Sequence, residues 1–119
     1  MGGVETYYCG DRTFGDDNHR FAVLIQEAMV RTYESVGYLI DDRGVHNDMD
    51  YLGGYLMLLG PESDRIKRPS QMPGALSEPL FITHAVESQF ARDPEMLDLL
   101  AEGYADAVEA FFAGEDPRE

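Results

Sequence analysis

Gly74-Ala75-Leu76-Ser77-Glu78-Pro79-Leu80-Phe81-Ile82 is an apolar run broken by one carboxylate. It reads as a buried strand, and so does Tyr55-Leu56-Met57-Leu58-Leu59, a short continuous apolar run between Gly54 and Gly60-Pro61. Val4 to Cys9, enriched in Val, Thr and Tyr, reads as a third strand close to the start of the chain. Between and after these runs the period changes. Phe21, Leu24, Ile25, Ala28, Met29 and Val36 recur at three- and four-residue intervals, which predicts a long helix capped at Asp17 or Asn18 and ending near Gly37. A short helix is expected over Ala85 to Ala91. Asp93-Pro94-Glu95 is a strong helix start, with a cap, a proline at the first helical position and an acid toward the positive end of the dipole. The helix it opens carries Leu97, Leu100, Ala101, Tyr104, Val108, Phe111 and Phe112 as its expected apolar face and stops at Gly114. Tyr38 to Tyr51 and Glu62 to Met72 read as loops. The order predicts an α/β fold with helices packed on a mainly parallel, twisted sheet. Three strands are few for such a sheet and the first begins abruptly, so a sheet incomplete at its N-terminal side is expected.

The 119 residues fit one domain, and a 44% hydrophobic content is enough for one core. Nine basic against 23 acidic residues give a net charge of −14. A surface that negative repels phosphate backbones and anionic lipid, which argues against nucleic-acid binding. No basic segment followed by an apolar stretch marks a signal peptide, and no apolar run is long enough for membrane insertion. With Cys9 as the only cysteine, an intramolecular disulfide and a cysteine-rich zinc module are both excluded.

Glu78 stands out among the side chains that could carry chemistry. Burying a carboxylate in an apolar strand is costly unless it is paired, hydrogen-bonded or protonated. Pro79 has no N–H and loosens the ladder immediately after it. Apolar neighbours such as Leu76 and Leu80 would raise its proton affinity, as a general base working near neutral pH requires. The plainer reading is an ion pair with Arg65, Lys67 or Arg68 on the preceding loop. His46, Asp48 and Asp50 resemble a metal cluster superficially, although no two histidines have ligand-like spacing. His19 and His84 read as capping or surface residues, with Glu87 in a capping-box position after His84. Cys9 has no histidine nearby in sequence to activate it. No nucleophile elbow or glycine-rich phosphate loop is present. Tyr7-Tyr8 and Phe111-Phe112 read as core residues, and Glu102, Asp106 and Glu109 as a solvated helix face.

Several segments, taken in order, resemble the zinc-dependent N-acetylmuramoyl-L-alanine amidases, cell-wall hydrolases of the amidase-3 type. Gly3-Val4-Glu5-Thr6-Tyr7-Tyr8 is similar to that family's GxETYY strand, and Phe21-Ala22 through Ile25-Gln26-Glu27-Ala28 to its LA-x-x-I-Q-x-A helix. Asp42-Arg43-Gly44-Val45 resembles its DRGV loop, and Tyr55 to Leu59 its next strand. Met72-Pro73-Gly74-Ala75-Leu76-Ser77-Glu78-Pro79-Leu80-Phe81-Ile82-Thr83 resembles MPAVLVEPGFITN, the most specific of the matches. The resemblance implies a phosphorylase/hydrolase-like α/β fold and hydrolysis of the amide joining N-acetylmuramic acid to L-alanine of the peptidoglycan stem peptide. It implies a zinc ion held by two histidines and a glutamate, with a second glutamate, matching Glu78, as general base and then proton donor. The matching zinc ligands lie upstream of the Val4–Tyr8 strand, so none is assigned within this chain. It also implies an extracellular or cell-envelope location.

The sequence departs from the family pattern in three places. Leu59 stands where an arginine is common, the loop Glu62–Gln71 is longer, and His84 replaces an asparagine cap. These readings together predict the C-terminal part of an amidase catalytic domain, spanning residues 1–119 and able to self-associate through an exposed sheet edge. Two rivals are a non-catalytic, dimeric binding module of the same fold and a standalone metal enzyme built on His46, Asp48 and His84.

Overall fold

Val4, Thr6 and Tyr8 alternate with Glu5 and Tyr7, and this alternation makes β1 (Val4–Tyr8) the organising strand of the molecule. The computed structural model describes residues 1–118. After β1 come α1 (Gly15–Ser35), β2 (Asp42–Asn47), α2 (Asp48–Leu52), β3 (Leu76–Glu78), α3 (Glu87–Phe90) and α4 (Pro94–Phe112). The sheet has the order β2-β1-β3. Strand β1 runs parallel to β2 and antiparallel to β3, with Glu5 opposite Glu78, Thr6 opposite Ser77 and Tyr7 opposite Leu76.

Helices α1 and α4 pair with each other and cover one face of the sheet. Their core joins Val4 to Leu24, Ile25, Ala28, Met29, Tyr33, Ile40, Met96, Leu100 and Ala107. Gln26 is buried in this layer with its amide fully used. Its nitrogen donates to the Val4 carbonyl at 2.8 Å and to Asp42 at 2.6 Å, and its oxygen accepts from the Thr6 hydroxyl at 2.9 Å. One side chain thereby ties α1 to both parallel strands.

Helix α1 begins earlier than the sequence suggests. Gly15 lies against the Gly10 carbonyl, where a Cβ would come within 2.1 Å of the oxygen. Asn18, expected as the cap, is instead buried inside the helix. Its amide donates to the Cys9 carbonyl at 2.9 Å and accepts from the Gly74 N–H at 2.9 Å. The start of α4 is as expected, with the Asp93 carboxylate accepting from the Glu95 N–H at 3.0 Å.

Three sequence expectations are corrected. Asp42–Asn47, expected as loop, is the parallel strand β2. The pairing slips between Val4 and Thr6, which face Asp42 and Val45, and Gly44 sits there at φ +85°. The extra residue breaks the period-2 pattern that would have revealed the strand. Tyr55–Leu59, expected as a buried strand, folds back on itself, with the Leu59 and Gly60 N–H groups both donating to the Leu56 carbonyl. Leu58 is 78% exposed. Its backbone bonds are local, so there is no ladder. The run Gly74–Ile82 is a strand only over Leu76–Glu78, ending where Pro79 removes a donor.

The face of α4 is also rotated from the one predicted. Met96, Leu100, Gly103 and Ala107 are buried, whereas Leu97, Val108 and Phe112 are exposed. Small residues let the two helices approach closely. A Cβ at Gly103 would lie 2.7 Å from the Thr32 hydroxyl and 2.9 Å from the Met29 methyl. Gly103→Leu is therefore expected to lower stability by about 1–2 kcal/mol despite leucine's better helix propensity. Urea unfolding checks this, and an unchanged midpoint would refute close packing at that point. Among the described residues, no helix is long and apolar enough to cross a membrane.

Candidate active site

Two helix residues fix the direction in which Glu78 faces. The Tyr33 hydroxyl donates to the Pro79 carbonyl at 2.7 Å, and Tyr104 shares a 2.8 Å hydrogen bond with Ser77. Both contacts hold β3 from the α1/α4 side. Alternation then turns Glu78, the last residue of the strand, to the opposite face.

On that face its cross-strand partner is Glu5. The expectation that Glu78 is the buried carboxylate is corrected. Glu78 is exposed to solvent, and Glu5 is the one withdrawn from it, at 4% exposure. Glu5 is well provided with partners. The Tyr7 hydroxyl donates to its Oε1 at 2.8 Å, and the Arg43 guanidinium donates to its Oε2 at 3.1 Å. The His46 Nε2 lies 3.6 Å from the same oxygen, shielded from solvent and without a hydrogen-bond partner. The His46 ring stacks on Tyr51 of α2 at 3.9 Å. Partial desolvation, and then the nearby Glu5, raise the proton affinity of Glu78 above that of an ordinary glutamate, while Arg43 opposes the shift. Burial, reinforced by the bond to Glu5, likewise pushes the Tyr7 phenol well up.

The ion pair considered for Glu78 with Arg65, Lys67 or Arg68 does not form, and those three side chains are exposed. The loop that carries them is held elsewhere, by buried Ile66 and by Arg12, which donates to the Leu59 and Gly60 carbonyls and to Ser70. His46, Asp48 and Asp50 do not converge. The buried Asp48 carboxylate accepts from the Met49 and Leu56 N–H groups, and Asp50 is exposed. His84 caps as expected, its Nδ1 accepting from the N–H groups of Val86 and Glu87 at 3.2 Å. His19 lies within α1, stacked on Tyr8 at 4.7 Å. Burial pushes the thiol of fully buried Cys9 up to about 11, which leaves it unreactive near neutral pH.

Among the described residues, no group of three His, Cys, Asp or Glu side chains could hold a metal ion. The described side chains therefore do not fit a zinc ion on their own. What they do assemble is a carboxylate pair with an arginine, a tyrosine and a histidine around its inner member. Sequence reasoning missed Glu5, Tyr7 and Arg43 as parts of this site. The signal was present, because Glu5 is a carboxylate inside a strand of Val, Thr and Tyr, the same argument that singled out Glu78.

Comparison with solved structures finds the same fold in several enzymes. An N-acetylmuramoyl-L-alanine amidase from Clostridium difficile 630 is 24% identical, with a TM-score of 0.68 over 97% of this chain and 50% of its own. The amidase AmiC2 of Nostoc punctiforme is 18% identical, with a TM-score of 0.65 over 95% of this chain and 49% of its own. The CwlD amidase from Clostridioides difficile, solved in complex with the GerS lipoprotein, is 16% identical, with a TM-score of 0.67 over 97% of this chain and 48% of its own. The chain thus spans about half the length of these relatives. A comparison with curated protein sequences finds no match. The family described as N-acetylmuramoyl-L-alanine amidase matches residues 1–110. With nearly the whole chain covered by that match, and with the fold in agreement, this protein belongs to the N-acetylmuramoyl-L-alanine amidase family.

Proposed function

We propose that residues 1–119 are the C-terminal portion of an amidase catalytic domain that hydrolyses the amide between N-acetylmuramic acid and L-alanine in peptidoglycan. Glu78 is the proton carrier of that reaction. As a carboxylate it takes a proton from the attacking water, and as a carboxylic acid it returns that proton to the departing amine. The observation that carries the reading is the place of Glu78. It ends β3, faces away from α1 and α4, is open to solvent and holds its proton more tightly than an ordinary glutamate. Zinc, implied by the family resemblance, finds no three-residue site among the described side chains. Its ligands are therefore proposed to lie outside this chain, and the substrate places the protein at the cell wall.

The test is release of peptides with a free N-terminal alanine from peptidoglycan. It compares the chain alone with the protein translated from the reading frame extended upstream of Met1. Release by the extended protein only is expected. If the extended protein folds and releases no such peptide, or if a stop codon lies directly upstream and the chain alone is inert, the amidase reading falls. A non-catalytic module of the same fold would then take its place.

A further inference from the structure

We propose that Glu5 is a positioning residue for Glu78, a carboxylate set directly across the strand pair that favours the protonated form of its partner. The inference rests on the amidase reading for its purpose but on the sheet for its substance. Glu5 and Glu78 are register partners in an antiparallel pair, so their side chains stand next to each other on one face. Like charges directly opposite are unfavourable there, and a protein has no need to place them so for stability alone.

The inner carboxylate is also immobilised. Tyr7 occupies Oε1, while Arg43 bonds Oε2 and the His46 Nε2 approaches that same oxygen. Its partners come from β1 and β2, and Tyr51 of α2 closes the site behind His46. Arg43 also lies over the Phe81 ring at 5.2 Å. The charged and titratable groups that act on Glu78 are Glu5 and Tyr7 from β1 and Arg43 from β2, while His46 and Tyr51 lie against Glu5 and Tyr7. Glu5 is the group opposite it. An anchored anion disfavours a second anion close by, so the proton stays on Glu78 to higher pH than on an isolated glutamate. The raised proton affinity of Glu78, caused first by desolvation and then by Glu5, agrees with this.

The test is a carboxyl-carbon NMR titration of glutamate-labelled chain, which requires no catalysis and so stands or falls separately from the amidase assay. In the wild type, the Glu78 midpoint is expected above that of an ordinary glutamate. In Glu5→Gln, which keeps an acceptor for Tyr7, the Glu78 midpoint moves to lower pH. In Arg43→Gln, which removes the opposing positive charge, it moves to higher pH. A Glu78 midpoint that Glu5→Gln leaves in place overturns the proposal. If Glu5→Gln does not fold, Glu5→Asp, which draws the carboxylate back by one methylene, decides, and an unmoved Glu78 midpoint there overturns it equally. A purely structural Glu5 would change stability without moving the Glu78 titration in these opposite senses.

Discussion

Under the proposed amidase reading, Glu78→Gln in the protein extended upstream of Met1 is expected to lower peptide release from peptidoglycan by about 10²–10⁴-fold, the usual contribution of one positioned acid–base group. Glutamine keeps the size and an acceptor oxygen but cannot carry the proton from water to amine. The loss should fall on kcat and on kcat/KM together, because the missing transfer belongs to the transition state. The same substitution has an opposite signature in stability. The folded-state proton affinity of Glu78 is raised, so its contribution to stability is present at low pH and is lost as pH rises through the folded-state value. At neutral pH the ionised side chain therefore disfavours the fold. Glu78→Gln should melt no lower than the wild type at pH 7, and its advantage should fade in acid. An active variant would remove Glu78 from the chemistry. An inactive variant with a collapsed melting temperature would make the residue structural.

Glu87→Ala is expected to be the most damaging single change to stability, at about 4 kcal/mol. Glu87 is 1% exposed and acts as an acceptor for distant parts of the backbone. Its Oε1 accepts from the Gly3 N–H at 3.1 Å and from the Phe81 N–H at 2.9 Å, while its Oε2 accepts from Gly3 at 2.9 Å. The start of β1, the segment after β3 and the short helix α3 are all held at one carboxylate. Removing it leaves two backbone donors without acceptors, at about 1–3 kcal/mol each. Against a usual total of about 5–15 kcal/mol, that loss threatens folding at 37 °C. Glu87→Gln keeps one carbonyl oxygen and should lose less. Urea midpoints for the two variants check the order, and a loss below about 1 kcal/mol for Glu87→Ala would show that water replaces the carboxylate at little cost.

Where local chemistry decides the structure, the sequence is easy to read. Asp93-Pro94 opens α4 because the cap and the proline act within one turn. Val4–Tyr8 is a strand because its β-branched and aromatic residues suit a pleated surface. Legibility fails where distant backbone decides. The slip at Gly44 hides β2, since an inserted residue scrambles alternation without changing composition. Tyr55–Leu59 has a strand's composition, yet five apolar residues contain too little periodicity to separate a ladder from a turn. The buried face of α4 escapes hydropathy because it is built from Gly103 and Ala107, chosen for smallness. Glu78 was legible as a candidate from its apolar surroundings. Its counterpart Glu5 carried the same signal, but joining the two needs the register of β1 against β3, and more than half the chain separates them.

That separation has a consequence for how the protein is made. β1, the central strand, leaves the ribosome well before β3 and α4. At about 5–20 residues per second, translation leaves β1 waiting for seconds before its antiparallel neighbour exists. During that interval a nascent segment rich in Val, Thr and Tyr has both edges open until β2 follows and one edge open until β3 does, the kind of segment prone to pair with a neighbouring nascent chain. Its one charge, Glu5, lies within the segment, where it discourages such pairing. The carboxylate that later faces Glu78 thus also serves as a guard while the strand has no partner.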